Sequence, residues 1–322
     1  MQVRRVGLGA PFTLGEPVAV IVVENMSKRF AGAKAVSDLS FVVRPGVVTG
    51  FLGPNGAGKT TTMRVIMGLE APTSGRATIG GFAYRDLPVP LKAVGALLDA
   101  RAAHPGRDAR SHLAALAASN RLAKSRVDEV LGLVGLETVA HRRAGTFSLG
   151  MGQRLGIAAA LLGDPAVLLF DEPTNGLDPE GILWIRNLMR DLAAEGRAVL
   201  VSSHLMSEMA LTADHLVVIG RGRLIADEPL EAFVARTSTE TVLVRTPEPN
   251  RLAAVLAGLG AYTTTGDGML EVVGVEASVI GDAALAAGAA IHELTPVRAS
   301  LEEAFMELTR DCVEYAAATA LR

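Results

Sequence analysis

From Val18 onward, short apolar runs alternate with amphipathic stretches, the pattern of strands and helices in an α/β layer structure. Four runs read as strands: Val18 to Val23, Val47 to Leu52, Ala166 to Phe170 and Ala198 to Ser202. The last three are nearly all apolar, as strands buried on both faces are. Helical periodicity fits Lys59 to Gly68, Ser111 to Asn120, Ser125 to Val134 and Glu180 to Glu195, and Gly196 marks a helix end.

After about Asp227 the texture changes. Strand-like Thr241 to Arg245, helix-like Arg251 to Leu259, strand-like Met269 to Val273 and an Ala-rich helix follow one another, which predicts a separate small α+β domain. It closes with Ser300-Leu301-Glu302-Glu303, a capping-box pattern in which Ser300 and Glu303 satisfy each other's backbone N–H groups. The expected division is an extension over residues 1–17, a main domain over 18–227 and an accessory domain over 228–322. No repeat recurs at a fixed period.

The length of 322 residues agrees with about two domains, each large enough for its own core. With 49% hydrophobic but only 4% aromatic residues, the interior is built from Ala, Val, Leu and Ile. The mean hydropathy of +0.33 calls for a check on membrane spans. The longest stretch free of Asp, Glu, Lys and Arg, Leu252 to Gly266, contains Gly and Thr and falls short of the roughly 18 to 20 apolar residues of a span. Gly7, Gly9, Pro11 and Gly15 interrupt the N-terminal segment, which reads as an extension rather than a secretory signal. A net charge of −3 gives no general electrostatic reason to bind nucleic acid. The single cysteine, Cys312, cannot form an internal disulfide and favours a reducing compartment.

Gly53-Pro54-Asn55-Gly56-Ala57-Gly58-Lys59-Thr60 matches the phosphate-loop pattern, with an apolar strand before it and a helix after it. The glycines let backbone N–H groups turn inward around phosphate oxygens, and the helix N-terminus adds partial positive charge. Lys59 supplies a point charge to the β and γ phosphates, and Thr60, followed by Thr61, offers a hydroxyl to Mg²⁺. The strand Leu168-Leu169-Phe170 ends in Asp171 and Glu172. That places Asp171 at the sheet edge to help hold Mg²⁺, with Glu172 beside it to polarise water.

From Val18 to Asp227 these residues resemble the nucleotide-binding subunits of ATP-binding cassette (ABC) transporters. Phe147-Ser148-Leu149-Gly150-Met151 is similar to the family's signature sequence, and Asn175-Gly176-Leu177-Asp178 to the loop after the catalytic glutamate. His204 matches the switch histidine and Phe30 the aromatic that stacks on adenine. Taken singly, Phe30 reads as a core ring, His204 as a satisfied histidine, and Ser148 with Gly150 as a helix start. Their order and spacing together carry the resemblance.

The resemblance implies a phosphate-loop NTPase core with a helical signature subdomain, ATP and Mg²⁺ as ligands, and a homodimer or heterodimer bound head to tail. Each ATP then sits between one copy's phosphate loop and the other's Ser148 and Gly150. Glu172 activates water, His204 contacts the γ-phosphate, and the motion passes to separate transmembrane permease subunits. The chain is expected at the cytoplasmic face of the membrane, peripherally, without nucleic acid. The C-terminal stretch Ser300 to Phe305 most resembles the ATPases of drug, antibiotic or lipid exporters. The alternative is a soluble ABC ATPase acting on ribosomes or DNA. A GTPase or kinase lacks support, because there is no Asn-Lys-x-Asp motif.

Two positions depart from the family pattern. Asp99 stands where Gln is usual; an acid there can bind Mg²⁺ directly but cannot donate a hydrogen bond as an amide does. Leu149 replaces a glycine, which reduces backbone freedom while leaving the serine and the second glycine in place. Arg101, Arg107, Arg110, Arg121, Lys124, Arg126, Arg142 and Arg143 cluster in the helical region, as a solvated face or as a contact for a coupling segment or lipid head groups.

Overall fold

The structure, a computed structural model, describes residues 21–237, 241–266, 269–297 and 300–309. The expected extension and Cys312 lie outside the described residues. The chain forms two compact units, one ending at Leu230 and the next spanning Glu231–Arg310.

The first unit opens with β1 (Ile21–Phe30) and β2 (Ala33–Val43), followed by β3 (Val48–Leu52), α1 (Lys59–Ile66) and β4 (Ser74–Ile79). A short α2 (Pro90–Ala93) leads into β5 (Val94–Leu97), and then come α3 (Ala109–Ser119), α4 (Ser125–Leu133) and α5 (Leu149–Leu161). The rest comprises β6 (Val167–Asp171), α6 (Pro179–Ala194), β7 (Ala198–Ser202), α7 (Met206–Ala210), β8 (His215–Gly220) and β9 (Arg223–Pro229). Two sheets result: an antiparallel β2-β1-β4 and a six-stranded β5-β6-β7-β3-β8-β9, parallel except for β9.

Every residue of β3 and of β7 is buried, which is why these runs read as continuous apolar text. Between the sheets lies a core that includes Ile21, Met26, Leu39, Phe41, Phe51, Met63, Ile66 and Ile219. The rings of Phe41 and Phe51 stack at 5.3 Å across it. Burying each such side chain contributes about 1.5–3 kcal/mol, so this core sets the position of everything at the strand ends.

The local signals place the helices that carry the site. Asp178 caps α6, accepting the Gly181 N–H at 2.9 Å, and Pro179 occupies the first turn, where its missing N–H costs nothing. Ile185, Leu188, Met189, Leu192 and Ala193 form the buried stripe. Gly196 then ends the helix at φ 93°. Ser148 caps α5 by accepting the Met151 N–H at 3.2 Å.

The four-strand reading was incomplete. β1 runs on to Phe30, and β2, β4, β5, β8 and β9 add five more strands to this unit. Positive-φ residues break the alternation in the first sheet, at Asn25 in β1 and Asp38 in β2, so their period is not two throughout. The strand β9 continues through Asp227 to Pro229.

The second unit contains β10 (Thr241–Arg245), α9 (Pro249–Ala257), β11 (Tyr262–Gly266), β12 (Met269–Val273), α10 (Ala277–Ala287) and β13 (Glu293–Val297), flanked by α8 (Leu230–Thr237) and α11 (Leu301–Thr309). Its antiparallel sheet has the order β11-β12-β10-β13, the split βαββαβ arrangement. Val242, Val244, Leu270 and Val272 face Leu252, Leu256, Ile280 and Ala284 of the two helices in one core. At α11 the capping box forms as read: the Ser300 N–H donates to Glu303 at 2.7 Å and the Glu303 N–H to Ser300 Oγ at 3.1 Å.

Candidate functional site

The loop from Gly53 to Gly58 leaves the buried strand β3 and opens α1. At two of its positions the surroundings leave no room for a side chain. A Cβ at Gly53 would lie 2.4 Å from the Ile219 carbonyl oxygen, and Gly58 combines φ +102° with a Cβ position 2.7 Å from the Ala35 carbonyl oxygen. No side chain caps α1 and no acid lies in its first turn, so its leading N–H groups and positive dipole end are open to an anion.

Lys59 is buried, and its ammonium donates to the carbonyl oxygens of Gly53 at 2.5 Å and Pro54 at 3.3 Å. Burial pushes its pKa below the ordinary lysine value, against the opposing pull of Glu172 and Asp171. The charge is thus held over the loop and facing two carboxylates.

Parallel pairing of β6 with β7 sets Asp171 beside Ser202. Asp171 accepts a hydrogen bond from Thr60 Oγ1 at 2.7 Å through Oδ2, and one from Ser202 Oγ at 2.5 Å through Oδ1. Ser202 Oγ also accepts the Glu172 N–H at 3.0 Å. Gln153, from α5, donates to the Glu172 carbonyl oxygen at 2.9 Å. These bonds hold Glu172 at φ +51°, a backbone conformation that costs energy for a non-glycine residue and recurs where a side chain must be aimed. Its Oε2 lies 2.7 Å from Nδ1 of His204, which follows β7.

A cavity of about 520 Å³ collects the loop residues Pro54 to Thr61 with Asp99, Asp171 and Glu172. Ala35, Leu98, Ala100, Leu149, Gln153 and Asn175 complete the lining. His204 reaches this group through Glu172. Phe30, Ser148 and Gly150 lie outside the lining: Phe30 sits exposed at the end of β1, and Ser148 Oγ is spent on the α5 cap. Gly150 packs so close to the next loop that a Cβ would meet the Gly176 carbonyl oxygen at 2.7 Å. Asp99 accepts the Arg101 N–H at 2.8 Å.

Sequence reasoning missed Gln153, Ser202 and Ala35. Gln153 could have been found, since it lies one helical turn after Gly150 on the same helix. Ser202 becomes visible only through strand register. The basic cluster is less free than its composition suggested, because Arg110 pairs with Asp128, and Arg126 pairs with Glu129 at 2.6 Å.

The geometry defines a cavity lined by the glycine-rich loop and faced by two carboxylates, and comparison with known proteins identifies the class. Residues 36–175 match the family model "ABC transporter", and residues 240–302 match a domain of unknown function, DUF8746. The uncharacterized ABC transporter ATP-binding protein YhcH of Bacillus subtilis is 36% identical over 92% of this chain and 97% of its own length. The bacitracin transport ATP-binding protein BcrA of Bacillus licheniformis is 40% identical over 67% of this chain and 72% of its own. The Nod factor export ATP-binding protein I of Burkholderia lata is 35% identical over 77% and 83%. Among solved structures, an ATP-binding subunit of an ABC transporter superposes with a TM-score of 0.60 at 27% identity, over 67% of this chain and 92% of that one. The chain belongs to the ABC transporter family as an ATP-binding subunit, and it is an ATPase. No helix among the described residues is long and apolar enough to cross a membrane.

Proposed function

We propose that this chain is the ATP-hydrolysing subunit of an exporter, driving an antibiotic, drug-like or lipid substrate through separate transmembrane permease subunits. The observation that carries the reading is the hydrogen-bonded group Thr60–Asp171–Ser202 next to Glu172 and His204, at the mouth of the phosphate loop. The names of the bacitracin and Nod factor relatives support the class of cargo and the direction.

In this reading the loop N–H groups and Lys59 bind the triphosphate, and Phe30 stacks on the adenine. The donor set suits Mg²⁺: a hydroxyl and a carboxylate are hard oxygen ligands, and among the described residues no three acids, histidines or cysteines form a protein-only cage. Thr60 and Asp171 would hold Mg²⁺, with Asp99 at the rim of the same cavity; when bound, the ion neutralises charge on the phosphates. Glu172 orients and deprotonates the attacking water, and His204 keeps the Glu172 carboxylate aimed and meets the γ-phosphate.

Two copies pair head to tail, so that Ser148 and Gly150 of one close over the nucleotide of the other, peripherally at the cytoplasmic face of the membrane. The nucleotide-binding domain runs from residue 18 to about residue 230, three residues past the Asp227 boundary read from the sequence, and the accessory domain follows; the end of β9 at Pro229 and the change of unit at Leu230 support this division.

The test is the size and turnover of Glu172→Gln beside the unaltered chain, with and without Mg-ATP. The expected result is a nucleotide-dependent dimer whose hydrolysis is slowed by about 100-fold or more. A monomer with full turnover would refute both the role of Glu172 and the paired assembly.

A further inference from the structure

Outside the cavity, the ring of Phe30 is backed by a fixed cation. Lys28 Nζ lies 4.6 Å from the ring centroid. The same ammonium stands 2.9 Å from Glu70 Oε2 and donates to the Ala71 carbonyl oxygen at 2.9 Å. The Lys28 side chain is 12% exposed whereas Phe30 is 42% exposed, so the cation is anchored behind a ring that keeps an open surface.

The anchor leads back to the phosphate loop. Glu70 also stands 3.7 Å from Arg64, which belongs to α1, the helix opened by that loop. The hydrogen bond from Lys28 holds the Glu70 carboxyl below its usual range, which keeps this bridge charged. A line of contacts therefore runs from the phosphate-binding helix through Glu70 and Lys28 to the aromatic ring.

An aromatic ring is negative on both faces, which opposes parallel stacking of a second π system. A cation against one face draws that density towards itself and leaves the opposite face better suited to a base. We propose that Lys28 is a positioning residue for the nucleotide base: it fixes the Phe30 ring relative to α1 and polarises it for stacking, so that base-bearing triphosphates bind in preference to bare triphosphate. This inference rests on the reading of Phe30 as the adenine platform.

The experiment measures the affinity of the full chain, with Mg²⁺, for ATP and for inorganic tripolyphosphate. Lys28→Met is expected to weaken ATP binding about 5-fold while leaving tripolyphosphate unchanged, and Lys28→Arg to restore ATP binding to within about twofold. Equal losses for both ligands, or no loss for either, overturn the proposal. Phe30→Ala separates the two readings. If it leaves the ratio of the two affinities unchanged, the platform itself is wrong; if it lowers the ratio and Lys28→Met does not, only the role of Lys28 fails. Should Lys28→Met not fold, Lys28→Gln removes the charge while keeping a polar donor for the Ala71 carbonyl oxygen, and an unchanged ratio in that variant overturns the proposal equally.

Discussion

Nδ1 of His204 stands 2.7 Å from Oε2 of Glu172, joining the ends of two neighbouring parallel strands that are 32 residues apart in the chain. The contact is made between side chains rather than by the sheet, so either partner can be altered without disturbing the strands. If, as proposed, the histidine aims a group used in the chemical step, His204→Ala should lower ATP turnover by about 100-fold and leave ATP affinity within about threefold. Steady-state turnover with a parallel binding titration checks this, and an equal fall in affinity would move His204 to a role in binding.

Ser202 is fully buried, and its single hydroxyl serves Asp171 and the Glu172 backbone at once. Ser202→Ala leaves Asp171 Oδ1 without its donor, while the Glu172 N–H keeps the Ser202 carbonyl oxygen at 3.2 Å, at a cost of about 1–3 kcal/mol. Thermal unfolding should shift down by roughly 3–8 °C and ATP turnover should fall with it. A Tm within about one degree of the parent would mean that water replaces the hydroxyl at no cost.

His112, in α3, is half-buried, and its Nδ1 has no hydrogen-bond partner. Burial, then the charge of Arg107, lowers its pKa from the ordinary 6.5. The unfolded chain therefore takes up a proton that the folded chain refuses. The associated stability is present above the unfolded pKa and is lost as pH falls through about 6 towards the folded value. Melting curves from about pH 5 to 8 should show a slope that His112→Gln makes shallower; parallel slopes would exclude the histidine as the cause.

The first unit has its own sheets and core, and β9 ends at Pro229. A fragment of residues 21–230 should unfold cooperatively and bind ATP within about threefold of the full chain. Aggregation, or loss of binding, would show that the remaining residues are needed to complete the nucleotide domain. A cut at Asp227 would instead remove two residues from β9.

Much of the site was legible in the linear text because its parts are local. The phosphate loop, the strand ending in Asp171-Glu172, the helix start at Ser148 and the capping box of Ser300 and Glu303 each depend on residues within a few positions of one another, so their chemistry survives being read in order. The buried strands β3, β6 and β7 were equally plain, since sheets covered on both faces leave continuous apolar runs. The first sheet was not, because bulged, half-exposed strands such as β1 and β2 carry no clean period.

Local spacing could therefore name the loop, the acids and the helix starts, and could divide the chain into two kinds of texture. It could not say that Ser202 would serve Asp171, that Gln153 would hold the Glu172 carbonyl, or that Lys28 would lie behind Phe30 and tie it to Glu70. Ser202 and Asp171 are 31 residues apart, Gln153 and Glu172 are 19 apart, and Lys28 and Glu70 are 42 apart, so no local period links them; Lys28 and Phe30, two apart on β1, do share the strand period, but only the fold supplies the Glu70 anchor. Strand order and register bring them together: β7 sits between the phosphate-loop strand and the carboxylate strand, and only that arrangement sets its terminal hydroxyl against an acid from another part of the chain.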